Sequence, residues 1–236
     1  MQILNKQGKV LFEDNSSSMK ETIENAIKSD VDFSGADLSG LELGNVDFYD
    51  IDVCNIDFSH CDLSGAKFKF TNIYNCDFHG ANLSYARFGE YDIIIHHCDF
   101  HGADFEGACF EECNFNKCNL QSVDLSSISM MGFTHFNECD LSDSILRNDV
   151  KNDVKFCACR FKYADLSGWN FNESDVQDCE FEYATLNRCS FRFTDLFRTR
   201  FKDSDISGSD FSFANLTLVD FKNVDLSGID MSTACL

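Results

Sequence analysis

Large apolar residues recur at every fifth position in this chain, and this period constrains the fold more than any other feature of the sequence. Neither the α-helix, with its period of 3.6, nor the β-strand, with its period of 2, produces a period of five. A short repeat that persists over a long segment is typical of a solenoid, in which successive coils stack on one another. The pattern is clearest in Phe201, Ile206, Phe211, Leu216, Phe221, Leu226 and Met231.

A second period of twenty residues lies within the first. In the last third of the chain, the same residue types return after every four pentapeptides. We therefore expect coils with four sides, in which like side chains stack on like in neighbouring coils. The predicted structural core includes Phe161, Phe181, Phe201, Phe221, Leu166, Leu186, Ile206 and Leu226.

The five-residue register is interrupted near 94–99, near 131–135 and at 147–155. The third interruption is interpreted as a loop, because Lys151 falls on a core position. Residues 31–236 then provide about ten coils of twenty residues. Residues 1–30 do not repeat, and a short strand at 9–12 and a helix are expected there. Ser18 is the predicted N-cap, with Glu21 reaching back to it, and this segment would cover the first coil.

The repeated units at 36–40 and 164–168 read AlaAspLeuSerGly, and the unit at 81–85 reads AlaAsnLeuSerTyr. They resemble the A(D/N)LXX pattern of the pentapeptide-repeat family over about residues 32–236. The resemblance implies an all-β fold, the right-handed quadrilateral parallel β-helix. In that fold the central Leu or Phe and the preceding small residue point inward. Trp169 occupies a small-residue position and is expected to distort its coil.

Thirteen cysteines suggest disulfides or a metal at first sight. Nine of them, however, occupy the small-residue position where alanine stands in other units, so they are interpreted as small buried hydrophobes. So many free thiols indicate a reducing, cytoplasmic location. A metal site at His96, His97, Cys98 and His101 is not predicted, because no paired CxxC accompanies them. No cofactor is expected.

The formal net charge of −21 argues against direct binding to nucleic acid or to an anionic membrane. Residues 31–130 hold 17 acidic and 4 basic residues. Two interpretations stay open. The Asp before each central residue accepts local backbone hydrogen bonds, or the acidic rod imitates duplex DNA. Serines lie in turns rather than beside a histidine, so an enzyme is not predicted.

A weaker resemblance connects the chain to the quinolone-resistance members of the family. It implies a protein partner, DNA gyrase or topoisomerase IV, contacted through two loops of the rod. The alternative is a general protein-interaction scaffold without DNA mimicry, which uses exposed aromatic columns. The candidate partner-binding residues are Ile94, Ile95, His96, His97, Arg147, Asn148, Asp149, Lys151, Asp153, Tyr163 and Tyr183.

Two further expectations concern the C-terminal half. Arg160, Glu180, Arg200 and Asp220 are spaced by twenty residues, which predicts an exposed ladder of alternating charges. The repeat also continues to Leu236 without a polar cap. An uncovered final coil exposes apolar columns and ladder edges, so we expect end-to-end homodimerisation through the C-terminal coil, or a further domain after it.

Overall fold

The computed structural model describes residues 1–147 and 154–236, and most of the chain forms a parallel β-solenoid. This confirms the predicted fold. Backbone hydrogen bonds join residues about twenty apart, as between Phe181 N and Arg200 O at 2.7 Å. One series of bridged residues passes through ten successive coils: Asp37, Asp57, Asp77, Asp99, Asn119, Asp140, Arg160, Glu180, Arg200 and Asp220.

Most regular strands have only two to four residues, because each side of a coil is only about five residues long and most ladder contacts are single bridges. An antiparallel pair, β1 and β2, and the helix α1 precede the solenoid, and β3 to β10 belong to it. The bounds are β1 Gln2–Leu4, β2 Val10–Glu13, α1 Met19–Lys28, β3 Val53–Cys54, β4 Lys67–Lys69, β5 Ile73–Tyr74, β6 Arg87–His96, β7 Cys109–Asn116, β8 Ser129–Met131, β9 Thr134–Asn137 and β10 Val154–Cys157.

The central side chains of the pentapeptides form four columns that fill the solenoid. Rings within a column stack almost parallel, as Phe161 and Phe181 do at 4.8 Å and 10°. Rings of different columns meet edge to face, as Phe191 and Phe201 do at 87°. The first column contains Leu38, Phe58, Phe78, Phe100, Leu120, Leu141, Phe161, Phe181, Phe201 and Phe221, and the fourth contains Val53, Ile73, Ile95, Phe115, Phe136, Phe156, Val176, Leu196, Leu216 and Leu236.

The coil turns at nearly every described corner through a residue in the left-handed region, two positions after the central residue. Bulky residues occupy these corners, including Tyr163 with φ 61° and Arg188 with φ 59°. This conformation costs a non-glycine residue about 1–2 kcal/mol. The ladder offsets the cost, because the corner N–H donates to the next coil, as Tyr163 N does to Glu182 O at 3.1 Å.

The N-terminal segment packs against the first coil through the bridge between Asn5 and Ala36. Its helix α1 begins after Ser18, whose side chain accepts a hydrogen bond from Glu21 N at 3.2 Å. The Glu21 carboxylate accepts from Ser17 N at 3.0 Å, so the expected return contact to Ser18 is wrong by one residue. Two strands, rather than the one expected at 9–12, precede this helix.

The first interruption lies at Glu90–Asp92, so the prediction of 94–99 is wrong. Gly89 pairs with Glu111 and Ile93 with Cys113, which leaves two extra residues between Gly89 and Ile93. Ile95 pairs with Ile73 and with Phe115 and is therefore the central residue. The sequence is ambiguous here because both Ile93 and Ile95 point inward and are buried.

The second interruption agrees with the range 131–135. Glu111 pairs with Met131 and Asn114 with His135, which accommodates one extra residue.

The described residues resume at Val154, the first residue of β10. Lys155 of β10 pairs with His135 of β9. Val154 and Lys155 thus belong to the ladder, and their assignment to the loop 147–155 is wrong.

Trp169 does not interrupt the backbone of its coil. It is only 3% exposed, and its ring contacts Phe156 and Phe171. The turn bond from Trp169 N to Leu166 O is 2.9 Å long, and Ser190 N donates to Trp169 O at 3.0 Å. The expected distortion is therefore absent from these backbone hydrogen bonds.

Candidate partner-binding surface

The aspartates that precede the central residues hold the turns of the coil. Asp104 accepts a hydrogen bond from Glu106 N at 2.9 Å, and Asp124 accepts from Ser126 N at 2.9 Å. Asn82 does the same with Ser84 N at 3.0 Å, so the turn needs the side-chain oxygen and not the charge. Asp104 and Asp124 are also exposed, so a binding partner can contact their charged carboxylates as well.

The acidic charge is dense in the N-terminal half of the solenoid. Residues 31–130 carry a net charge of −13 from 17 acidic and 4 basic residues. They form about five coils, and successive coils are 4.8 Å apart, as Phe78 and Phe100 show. The segment therefore carries about one net negative charge per 1.8 Å of its axis. Duplex DNA carries one per about 1.7 Å.

The bulge Glu90–Asp92 within β6 projects an aromatic side chain from this acidic half. Tyr91 is 75% exposed and stacks on Phe70 at 5.2 Å. Phe70 in turn contacts Tyr49 edge to face at 5.2 Å. Sequence reasoning missed this outward column, although its members are spaced by 21 residues and the signal was available.

The structure separates the residues that the sequence grouped at the first interruption. Ile94 is 40% exposed, and its N–H donates to Asn72 Oδ1 at 3.0 Å. Ile95 is fully buried in the fourth column, so its assignment as a partner contact is wrong. His96 and His97 lie beside each other with ring centroids 4.1 Å apart, and His97 is exposed at a corner.

Arg147 is anchored to the solenoid rather than free at the second predicted loop. Its Nε donates to Asp165 Oδ2 at 2.9 Å. This guanidinium, together with the hydrogen bonds from Ser167, lowers the pKa of Asp165 to about 2. The other candidates of this loop, Asn148, Asp149, Lys151 and Asp153, lie outside the described residues.

Two pairs of exposed aromatic rings stack on the C-terminal half, and each is accompanied by a cation. Tyr163 and Tyr183 are 5.1 Å apart, with Lys162 Nζ 5.1 Å from the Tyr163 ring. The second pair, Phe193 and Phe213, stacks at 4.8 Å and 4°. Both pairs follow from the twenty-residue period, which places corner residues of successive coils one above the other.

The predicted charge ladder is present at Arg160, Glu180 and Arg200 and starts one coil earlier than expected, but within the described residues no ion pair joins Arg200 to Asp220. Glu180 lies between Arg160, at 3.9 Å, and Arg200, at 2.8 Å, and Arg160 also approaches Asp140 at 3.5 Å. These pairs are exposed, so each contributes little to stability by itself.

Within residues 1–147 and 154–236, no three or more His, Cys, Asp or Glu side chains are arranged to chelate a metal ion. His101 instead stacks on His79 at 5.2 Å, since the two residues occupy equivalent positions in successive coils. The same part of the chain contains no helix with the length and apolar character needed to cross a bilayer.

Several solved structures are similar to this one. HetL, a pentapeptide repeat protein involved in heterocyst differentiation regulation in the cyanobacterium Nostoc sp., is 18% identical over 89% of this chain and 95% of its own, with a TM-score of 0.32. Full-length QnrB1, a plasmid-mediated fluoroquinolone resistance protein, is 18% identical over 80% of this chain and 92% of its own, with a TM-score of 0.36. The search of curated protein sequences finds no match.

Two family descriptions match the sequence. "Pentapeptide repeat region" matches residues 154–231, and "Pentapeptide repeats (8 copies)" matches residues 61–90 and 98–134. Together these ranges cover more than half of the chain, and they agree with the register seen in the coils. The chain belongs to the pentapeptide-repeat family.

Proposed function

We propose that this protein is a non-enzymatic rod that binds a DNA-binding protein by presenting duplex-like charge along residues 31–130. The main support for this proposal is the charge density of the segment. It carries about one net negative charge per 1.8 Å of its axis, and duplex DNA carries one per about 1.7 Å. The bulge Glu90–Asp92 lies in the same half and adds an exposed aromatic side chain, Tyr91. A type II topoisomerase, DNA gyrase or topoisomerase IV, is the proposed partner, because it holds duplex DNA in a basic groove of protein.

The first experiment is a DNA gyrase supercoiling assay with and without fluoroquinolone. We expect the protein to inhibit supercoiling or to protect the enzyme from the drug, with an effect that weakens as salt rises. No effect at micromolar protein would refute the proposed partner.

Charge variants locate the binding segment. The first variant replaces Asp62, Asp104 and Asp124 by Asn. It loses three negative charges but keeps the hydrogen bonds of the turns, because Asn already accepts these bonds at equivalent positions. The matched control replaces Asp205, Asp220 and Asp225 in the C-terminal half, which make the same turn bonds. We expect at least tenfold weaker binding for the first variant and little change for the second. Equal losses would contradict the placement.

A second candidate function, a protein-interaction scaffold without DNA mimicry, is favoured by the stacked and exposed pair Tyr163 and Tyr183. Aromatic rings with a nearby cation are common anchors of protein interfaces. Replacing both tyrosines by Ser should remove captured partners under this hypothesis. Unchanged partners would count against it, and loss of gyrase binding only in the Asp→Asn variant would favour the first proposal.

We also propose that the last coil pairs with a second copy. Leu226 is 41% exposed and Leu236 is 86% exposed, and exposed apolar side chains of this kind provide a surface on which a second copy can pack. Light scattering should show a dimer that Leu226→Asp weakens. A monomer at all concentrations would contradict this.

The thirteen free cysteines support a reducing, cytoplasmic location for the protein.

A further inference from the structure

A cleft lies between the end of α1 and the first coils, on the side of the solenoid that carries the fourth column. Its volume is about 360 Å³. Small-molecule sites have volumes of about 300–1,000 Å³ and are mostly apolar. The cleft has such a lining, made of two buried and three half-buried apolar side chains: Phe33 and Ile56, and Ile27, Val31 and Ile51.

The cleft is open because the backbone ladder is incomplete at this point. One coil later, Val53 N donates to Asn72 O at 2.9 Å. Within the described residues, no equivalent backbone hydrogen bond joins Phe33 N to Asp52 O. The ladder begins only at Gly35, whose N–H donates to the next coil at 3.1 Å. The two coils are thus not held together by the backbone at Phe33, and space remains between them and α1.

Negative charge surrounds the opening of the cleft. Four exposed carboxylates line it, those of Asp30, Asp32, Asp50 and Asp52. In the part of the chain that the structure describes, none of the four forms an ion pair with a lysine or an arginine. Burial, together with the carboxylates of Asp52 and Asp32, raises the pKa of the Cys54 thiol, which also lies in the cleft. The cleft therefore combines an apolar lining with uncompensated negative charge.

This combination decides which class of ligand fits. An anion would be repelled by the carboxylates. A neutral apolar molecule would cover the apolar lining but would leave the carboxylates without a partner. A bare metal ion would make no use of the apolar lining, and the described residues contain no chelating group of side chains. A cation with an apolar body satisfies both parts of the cleft.

We propose that the cleft binds an organic ammonium ion, a small primary amine carried on an apolar ring or chain. The apolar body packs against Phe33 and Ile51, and its burial removes apolar surface from water. The ammonium group donates charge-assisted hydrogen bonds to the carboxylates of Asp32 and Asp52. A hydrogen bond from Ser34 N to Asp32 Oδ1, at 2.9 Å, already holds one of these carboxylates in place.

Cys54 can report occupancy of the cleft, and the chain contains a matched control thiol. Cys157 occupies the equivalent position on the same side of the solenoid, directly after a central residue of the fourth column, but it does not line the cleft. Both thiols are at least partly accessible to solvent. In the full-length chain, both are modified with a small methanethiosulfonate reagent at mildly alkaline pH and constant ionic strength. Mass spectrometry of the peptides then gives the rate at each cysteine.

The probe is 2-phenylethylammonium. At millimolar concentration we expect it to slow the modification of Cys54 at least about fivefold and to leave Cys157 unchanged. Two control ligands separate the contributions. 2-Phenylethanol has the same ring without the charge, and ethylammonium has the charge without the ring. Each should need an at least about tenfold higher concentration for the same protection.

Charge variants test the assignment of the carboxylates. Asp32→Asn combined with Asp52→Asn should abolish most of the protection, whereas Asp205→Asn combined with Asp225→Asn, in the C-terminal half, should leave it unchanged. Circular dichroism checks that both variants fold. Equal protection by either control ligand, equal protection of Cys157, or unchanged protection in the first variant overturns the proposal. Protection by a tripeptide of leucine, lysine and leucine at a tenfold lower concentration than by the amine also overturns it, because the cleft would then fit a lysine of a protein partner.

Discussion

Truncation of one ring in the first column tests whether burial or ring stacking stabilises the solenoid. Phe181 is fully buried and lies between Phe161 at 4.8 Å and Phe201 at 5.2 Å. Phe193 stacks on Phe213 at the same distance, 4.8 Å, but is 53% exposed. The two positions have similar ring spacings, although Phe181 stacks on two rings and Phe193 on one, and they differ most in burial.

We expect Phe181→Ala to lower the free energy of unfolding by about 3–5 kcal/mol, because the change removes a buried ring and leaves a cavity between two rigid coils. Phe193→Ala removes only a half-exposed stacking contact, which is worth about 0.5–1.5 kcal/mol. Phe181→Leu should cost less than Phe181→Ala, since Leu120 and Leu141 occupy the same column.

Urea denaturation followed by circular dichroism and by Trp169 fluorescence measures these differences. With a slope of about 2 kcal/mol per molar urea, Phe181→Ala should lower the midpoint by about 1.5–2.5 M and Phe193→Ala by less than about 1 M. Trp169 lies in the coil directly before the one that contains both sites, so it also reports whether neighbouring coils unfold together. Equal midpoints for the two alanine variants would refute the argument that burial dominates.

Three further predictions, two of them with a matched control substitution, have defined outcomes. Gly89→Ala should destabilise the solenoid by more than about 3 kcal/mol, because Gly89 has a φ of +116° and an added Cβ would collide with Glu111 O. As the control, Gly168→Ala should cost only about 1 kcal/mol in the same urea titration, because Gly168 has open space around it. Ser18→Ala removes the N-cap of α1 and should cost about 1 kcal/mol by thermal denaturation, whereas Ser17→Ala should cost less. Arg147→Ala should raise the pKa of Asp165 toward its ordinary value, as measured by NMR titration of the carboxyl group. The folded pKa of Asp165, about 2, lies below its unfolded value of about 3.9. The stabilisation from this pair is therefore present above about pH 4 and is lost as the pH falls to about 2. If the stability difference between the unmodified protein and Arg147→Ala does not shrink over this range, the pairing is contradicted.

The solenoid itself was predictable because its cause is local and repeated. A period of five with an inward residue at two positions fixes which side chains are buried, and the period of twenty fixes which residues stack. Counting in steps of twenty residues predicts the stacked rings of Phe161 and Phe181, the stacked rings of Tyr163 and Tyr183, and the charge ladder around Glu180.

The interruptions were harder, because two inward positions in each unit allow two alignments. At the first interruption Ile93 and Ile95 fit both alignments, and only the ladder partner of each residue decides between them. The column of six buried cysteines, Cys76, Cys98, Cys118, Cys139, Cys159 and Cys179, was hidden for the same reason. Its spacings of 22, 20, 21, 20 and 20 residues become regular only after the extra residues are placed. The contact of Arg147 with Asp165 depends on the reach of a long side chain, which no spacing rule predicts.

The parallel ladder also determines how such a chain can fold. Nearly every long-range backbone hydrogen bond joins residues about twenty apart, as between Phe181 and Arg200, whatever the length of the rod. The mean sequence separation of contacts is thus about one-twelfth of the chain, a relative contact order near 0.08 that is typical of fast-folding helical proteins rather than of β-proteins. Once the N-terminal helix and hairpin have ordered the first coil, each new coil needs only the next twenty residues. The rod can therefore grow in the direction of synthesis, one coil at a time, while the rest of the chain is still on the ribosome.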